Sequence, residues 1–328
     1  MAAAKMFERA PDVVESTGFA AWQDYLSRQV LALASAVEDE APELFSAGVA
    51  WSRDAFAARA MPSDGLALAL TCLESVLEES LPGEAWSPLG EYFRHARHEL
   101  DSGVAAEPAP PGPASPAGTL AQSYVDALVA GDEVRATSLV REALDEGRLT
   151  VQALVDSVLV PAQRELGRRW HLGAVGVGEE HYATQTTRKV LTLALSKAPR
   201  ARPRERTVVV AAVAGDAHDL GLAFVAAHFE LDGWRTLLLG ADTPVADLVT
   251  FVLRHQPDLV ALGATLDEQR VRTAEAIRAL RAGRPGLRIL VGGAAYAGRP
   301  ELWRRSGADG HAADAAEAVR KGLGLVGS

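Results

Sequence analysis

The fold turns on the stretch Thr207-Val-Val-Val-Ala-Ala-Val213-Ala-Gly-Asp216-Ala-His218-Asp-Leu-Gly221. Val208–Val213 is an unbroken apolar run that gives way to a polar loop and then to a helical stretch, Leu220–Leu231. Short continuous apolar runs bounded by turn residues fit strands buried on both faces. Three more follow, at Thr236–Leu239, Leu259–Leu262 and Arg288–Val291, alternating with helical stretches at Pro244–His255, Glu268–Ala282 and Glu301–Arg305. A last helix is expected near Ala315–Leu323. Strand–helix alternation builds βαβ units, so residues 206–328 are predicted to form a parallel α/β sheet of the flavodoxin or Rossmann type. Such sheets bind their ligands beyond the carboxyl ends of the strands, which is where Asp216 and His218 fall.

Upstream lies a helical block, residues 119–198, with candidate helices at Leu120–Ala130, Asp132–Glu146, Thr150–Arg169 and Glu179–Lys197. Four helices on short connections fit a four-helix bundle. The connection Trp170-His-Leu-Gly-Ala-Val-Gly-Val-Gly178 is rich in glycine. A short break, Pro199-Arg-Ala-Arg-Pro203, separates the bundle from the α/β block. Before the bundle, residues 102–118 hold five of the chain's 17 prolines and read as a linker.

Residues 1–101 form a third, all-helical block. Phe19, Trp22, Leu26, Val30 and Leu33 recur at helical spacing, and further helices are expected at Pro42–Arg59, Ser63–Ser80 and Trp86–Leu100. This block suits oligomerisation. Cys72, the chain's single cysteine, lies mid-helix and reads as a small buried hydrophobe. His95 and His98 sit one turn apart without an evident third ligand and read as surface residues.

Charge separates the blocks. Residues 1–101 carry 7 basic and 17 acidic residues, a net of −10 that equals the net charge of all 328 residues. A DNA-reading head needs a basic face, so direct nucleic-acid binding by this block is not expected. No run of about 18 apolar residues suggests a membrane span. The start lacks a signal-peptide core, and a cytoplasmic location is expected. With one cysteine, neither an internal disulfide nor a cysteine zinc cluster can form.

The loop after the first strand is neither G-x-G-x-x-G nor a P-loop. It offers an imidazole, His218, with a carboxylate two residues before it. Imidazole ligates transition metals, and Asp216 could bind the other ring nitrogen and raise its basicity. A hydrogen-bonded, inert loop histidine fits the same residues.

The pattern D-x-H-x-x-G after a first strand resembles the cobalamin-binding domains of methionine synthase, corrinoid methyltransferase proteins and mutases. The resemblance continues through Leu239-Gly-Ala-Asp-Thr-Pro244, Val260-Ala-Leu-Gly-Ala-Thr265 and Val291-Gly292-Gly293, and ends at Gly307-Ala-Asp-Gly310. It implies that His218 is the lower cobalt ligand, Asp216 its partner and Gly221 the close-approach glycine. Gly292 and Gly293 match the family's cofactor-contacting glycines. The family has serine where this chain has Gly263, and Thr265 is the nearest hydroxyl.

In the bundle, Trp170-His171 is followed after eight residues by Glu180-His181. This pair resembles the cap of adenosylcobalamin-dependent photoreceptors. The resemblance implies that Trp170, Glu180 and His181 shape an adenosyl pocket. It implies also that His171 ligates cobalt from above after light breaks the cobalt–carbon bond. The layout of helical block, cap and cobalamin domain further resembles the photocobilins, which add a bilin such as biliverdin. A thioether attachment at Cys72 is then an alternative to its buried reading. The expected function is a non-catalytic cobalamin light sensor, a homo-oligomer acting on an unidentified protein partner. The alternatives are a corrinoid carrier of methyl groups for a methyltransferase system and a cobalamin storage module.

Overall fold

A computed structural model describes residues 1–61, 64–102, 115–199, 201–297 and 301–327. They divide into two compact units, one on residues 1–102 and one on 115–327, with the short segment Asp267–Val271 grouped with the first.

The first unit is all helical: α1 (Ala2–Arg9), α2 (Pro11–Thr17), α3 (Phe19–Glu38), α4 (Pro42–Ala58), α5 (Asp64–Ser80), α6 (Gly83–Trp86) and α7 (Leu89–Asp101). Its core takes Trp22, Leu26 and Leu33 of α3, Phe45 and Val49 of α4, Leu66, Leu70 and Cys72 of α5 and Phe93 of α7. The apolar stripe of α3 predicted from spacing is only partly inside, because Phe19 and Val30 face solvent.

The second unit opens with a helical bundle: α8 (Pro116–Val129), α9 (Glu133–Asp145), α10 (Val151–Leu154), a π turn (Val155–Leu159), α11 (Val160–His171) and α12 (Val177–Lys197). Ser115, Asp132 and Thr150 cap α8, α9 and α10 by accepting from the amides of Gly118, Arg135 and Ala153. Most of the expected linker, residues 103–114, lies outside the described residues, and its last three residues are already helix. The π turn has a local cause. Pro161 has no N–H and crowds the preceding turn, and widening that turn relieves both.

After the bundle come β1 (Thr207–Val213), α13 (Leu220–Leu231), β2 (Arg235–Thr243), α14 (Val245–His255), β3 (Leu259–Gly263), α15 (Gln269–Gly283), β4 (Arg288–Gly292), α16 (Leu302–Arg305), β5 (Gly310–Ala312) and α17 (Ala315–Val326). The five strands are parallel in the order β2-β1-β3-β4-β5. This is the doubly wound α/β sheet expected from the sequence. Chain order reverses between β1 and β3, so the loops leaving those two strands flank the crevice at the switch point. The strands expected at Thr236–Leu239 and Arg288–Val291 run on to Thr243 and Gly292, and β5 adds a strand the apolar pattern does not mark.

Candidate functional site

Asp216 is the hub of the loop after β1. It is 1% exposed. One carboxylate oxygen accepts from the His218 amide at 2.9 Å and faces His218 Nδ1 at 3.0 Å. The other accepts from the amide of Thr265, in the loop after β3, at 2.9 Å. One buried carboxylate therefore ties together the two loops that define the crevice. The edge strand adds a third tie: Asp242 accepts from the Gly215 amide at 2.7 Å and donates its own N–H to the Asp216 carbonyl at 2.8 Å. Asp242 can do so because it takes a positive φ of 44° at a bulge in the β1–β2 pairing, a conformation aspartate tolerates better than most residues.

The His218 side chain is 62% exposed above this buried base. With Nδ1–H donating to Asp216, the neutral ring carries its lone pair on Nε2. Among the described residues, no group of three or more His, Cys, Asp or Glu side chains could hold a bare metal ion. A single well-oriented imidazole suits a metal that arrives with most of its coordination sphere already filled, as cobalt does in a corrin ring.

The small residues expected to line the site divide into two kinds. A Cβ at Gly293 would lie 2.2 Å from the Ala264 carbonyl oxygen, and one at Gly292 would lie 2.8 Å from that of Ala312. A Cβ at Gly263 would strike Leu222 at 2.7 Å. At Gly221 a Cβ would meet nothing within 4 Å. Thr265 enters the arrangement through its backbone amide.

In the bundle, Trp170 and His171 are the half-buried last residues of α11, and Gly178 lies within α12. The connection is thus shorter than the glycines suggested, residues 172–176, with Gly173 at a φ of 68°. Glu180, in the first turn of α12, accepts from Thr184 Oγ1 at 2.8 Å and has His181 Nε2 at 3.7 Å. His181 itself is largely in solvent. Two polar pairs that the sequence reading missed cross from the bundle to α13 and its N-cap: Arg188 with Asp219, and Asp156 with His228. Pairing at such separations leaves no local pattern, although Asp219 does adjoin His218.

The fold and this histidine loop define a corrinoid-binding class, and comparison with known proteins agrees. Residues 206–320 match the B12 binding domain family, and residues 120–194 match a second family of the same description. The HTH-type transcriptional repressor CarH of Myxococcus xanthus is 32% identical over 200 residues, 60% of this chain and 66% of the relative. The repressor CarA of the same organism is 38% identical over 137 residues, 40% of this chain and 42% of the relative. The chain thus covers less than two thirds of either relative. The structure of the monomethylamine corrinoid protein of Methanosarcina barkeri superposes with a TM-score of 0.55 at 21% identity, over 63% of this chain and 98% of that one, a likeness of fold. The chain is a cobalamin-binding protein. Its similarity to CarH and CarA accords with the resemblance of its Trp-His and Glu-His pairs to the cobalamin-dependent photoreceptors. Among the described residues, no helix is long and apolar enough to cross a membrane.

Proposed function

We propose that the chain is a light sensor that binds adenosylcobalamin between the bundle and the carboxyl ends of β1 and β3. The observation that carries the reading is the His218 ring, presented to solvent at the switch point with Nδ1 held by the buried carboxylate of Asp216. The cofactor supplies a light-labile cobalt–carbon bond. His218 offers Nε2 as the lower ligand. Trp170 would pack against the adenosyl group, Glu180 and His181 would bound its polar side, and His171 would offer a second imidazole to cobalt. Thr265, Gly221, Gly292 and Gly293 border the cofactor from the sheet. The bundle then has two preferred positions, and light shifts their balance. That shift changes contacts between copies of the chain or with a protein partner.

The relatives CarH and CarA are named as HTH-type repressors. In this chain, the net charge of −10 on residues 1–101 supports an output other than operator binding. We further propose biliverdin as a second chromophore in the helical first unit. Its Trp22 Nε1 and Gln29 Oε1 are buried polar atoms without a hydrogen-bond partner, which an added polar ligand could satisfy.

Absorption spectra of the purified chain, with and without cobalamin and biliverdin, in darkness and after green or blue light, test the reading. The alkyl-cobalamin spectrum should give way to a stable bis-histidine form, and His171→Ala should remove that final form alone. Size-exclusion chromatography in dark and light should differ. An unchanged elution with changed colour would favour cobalamin storage. Methyl exchange with a methyltransferase would favour the corrinoid carrier.

A further inference from the structure

Helix α13 belongs to two cores at once. Leu220, Ala223, Phe224 and Ala227 on one face are buried among the bundle's apolar side chains. Leu222, Ala226 and Phe229 on the other are buried with the sheet. Each end is also tied to the bundle by a polar side-chain pair. At the C-terminal end, His228 is 4% exposed, with Nδ1 3.0 Å from the Phe224 carbonyl oxygen and Nε2 3.1 Å from the Asp156 carboxylate on the π turn. At the N-terminal end, Arg188 of α12 pairs with Asp219. Asp219 follows His218 directly and stands at the N-cap position of α13, yet its side chain makes no capping hydrogen bond. It turns toward Arg188 instead. Glu180, Thr184 and Arg188 lie four residues apart on α12 and form one stripe, so the face that carries Glu180 also carries the tie to the histidine loop.

His218 is therefore anchored from two sides. Asp216 holds it from the sheet, and the Asp219–Leu220 step holds it from the bundle. We propose that Arg188 is a positioning residue for His218, and that through Asp219 it couples the placement of the bundle to the ligation of cobalt from below. This rests on the reading of His218 as a cobalt ligand. A displacement of α12 pulls on one anchor and leaves the other in place, so lower ligation weakens or tightens as the bundle moves. The coupling is local. Because α13 is packed on both faces, removing one partly exposed ion pair leaves the fold standing.

The test uses the full chain as wild type, Arg188→Ala, Arg188→Lys, Asp219→Asn and His218→Ala, titrated with adenosylcobalamin in darkness. Three readouts are followed: affinity, the fraction of bound cofactor showing the spectrum without a lower nitrogen ligand, and the His218 ring resonances of the cobalamin-free protein. R188A and D219N should weaken binding roughly threefold to tenfold, the effect of losing one hydrogen bond of ordinary net strength at a partly exposed site. Both should populate the unligated spectrum and broaden or shift the His218 resonances. R188K should restore most of the wild-type behaviour. If R188A and D219N keep wild-type spectra and affinity while H218A loses the ligated spectrum, the coupling is refuted and the cobalt-ligand reading stands. If H218A keeps the ligated spectrum, that reading fails and the coupling falls with it. Should R188A fail to fold, D219N decides: an unchanged spectrum there overturns the proposal.

Discussion

Replacing Asp216 tests the central physical claim, that one buried carboxylate builds the loop and orients its histidine. Asp216 takes two backbone N–H groups, from His218 and Thr265, and the His218 ring. In Asp216→Ala all three lose their acceptor. The ring is mostly in solvent and recovers its bond from water, so it contributes little to the loss. The two amides sit against a buried position and each costs about 1–3 kcal/mol if left unpaired. Relief from burying a charge offsets part of this, leaving an expected destabilisation of about 2–4 kcal/mol. Asp216→Asn separates shape from charge. Its amide oxygen can still serve His218, but its NH2 then faces the Thr265 N–H, donor against donor, at about 1–2 kcal/mol. Urea unfolding of the cobalamin-free chain measures the stability, and a spectral titration with hydroxocobalamin measures binding and axial ligation. D216A should lose ligated binding, and D216N should bind with a reduced ligated fraction. A D216A protein as stable as wild type, taking up hydroxocobalamin with an unchanged spectrum, would refute the reasoning.

Gly293→Ala should lower the melting temperature and weaken cobalamin binding together, since its Cβ meets a backbone oxygen at 2.2 Å and its φ of 103° disfavours any side chain. Unchanged melting would mean that the loops after β3 and β4 are not packed as described. Gly221→Ala should leave the stability of the cobalamin-free chain within about 0.5 kcal/mol, because nothing opposes its Cβ and alanine favours a helix start, while reducing affinity for cobalamin. Equal affinity would remove Gly221 from the site. Hydrogen bonds from Arg168, and then Arg169, hold the Glu165 carboxyl down at about 2 from an ordinary 4.5. A depressed carboxyl stabilises above its unfolded value, and that contribution disappears as pH falls through its folded value. Glu165→Gln should therefore cost about 1 kcal/mol near neutrality after solvent screening. The gap from wild type in thermal melts should close as pH drops from 4.5 toward about 2, and a gap independent of pH would exclude the ion pairs as its cause. Cys72 is fully buried and burial pushes its thiol up, so a thiol reagent should react only on unfolding. Rapid reaction of the native chain would contradict the packing of α5 and reopen Cys72 as a chromophore attachment.

The parts of the fold legible in sequence are those with a local cause. Val208–Val213 and Leu259–Leu262 announce strands because central parallel strands need apolar side chains on both faces. Gly310–Ala312 announces nothing. Three residues with little apolar content become β5 only because β4 offers an open edge beside them. The second half of β2 was hidden for a similar reason. Gly240-Ala-Asp242 reads as a turn, but a bulge keeps it paired with β1 and spends the unusual backbone of Asp242 on holding the His218 loop. The π turn left no mark on the sequence reading, since the helical pattern over Thr150–Arg169 runs through it and past Pro161. Asp216 and His218 were legible because a two-residue spacing lets one side chain bond its neighbour's amide and ring. Arg188 was not, since its partner lies 31 residues away and a lone arginine on a helix face usually meets only water.

The glycines carry the argument one step further. Family resemblance gives Gly221, Gly292 and Gly293 one shared role, whereas the structure gives them different reasons to exist. At Gly292 and Gly293 the space a side chain would need is filled by carbonyl oxygens of neighbouring segments, so sheet closure accounts for both with or without a ligand. At Gly263 the space is filled by Leu222, a flexible side chain on the sheet face of α13. That side chain can yield where a backbone cannot. At Gly221 the space is open, and a helix start has no conformational need for glycine. Gly48 and Gly167 share that freedom, so what sets Gly221 apart is its place beside the His218 loop, where the open space would admit a flat, bulky group seated on the imidazole three residues before it.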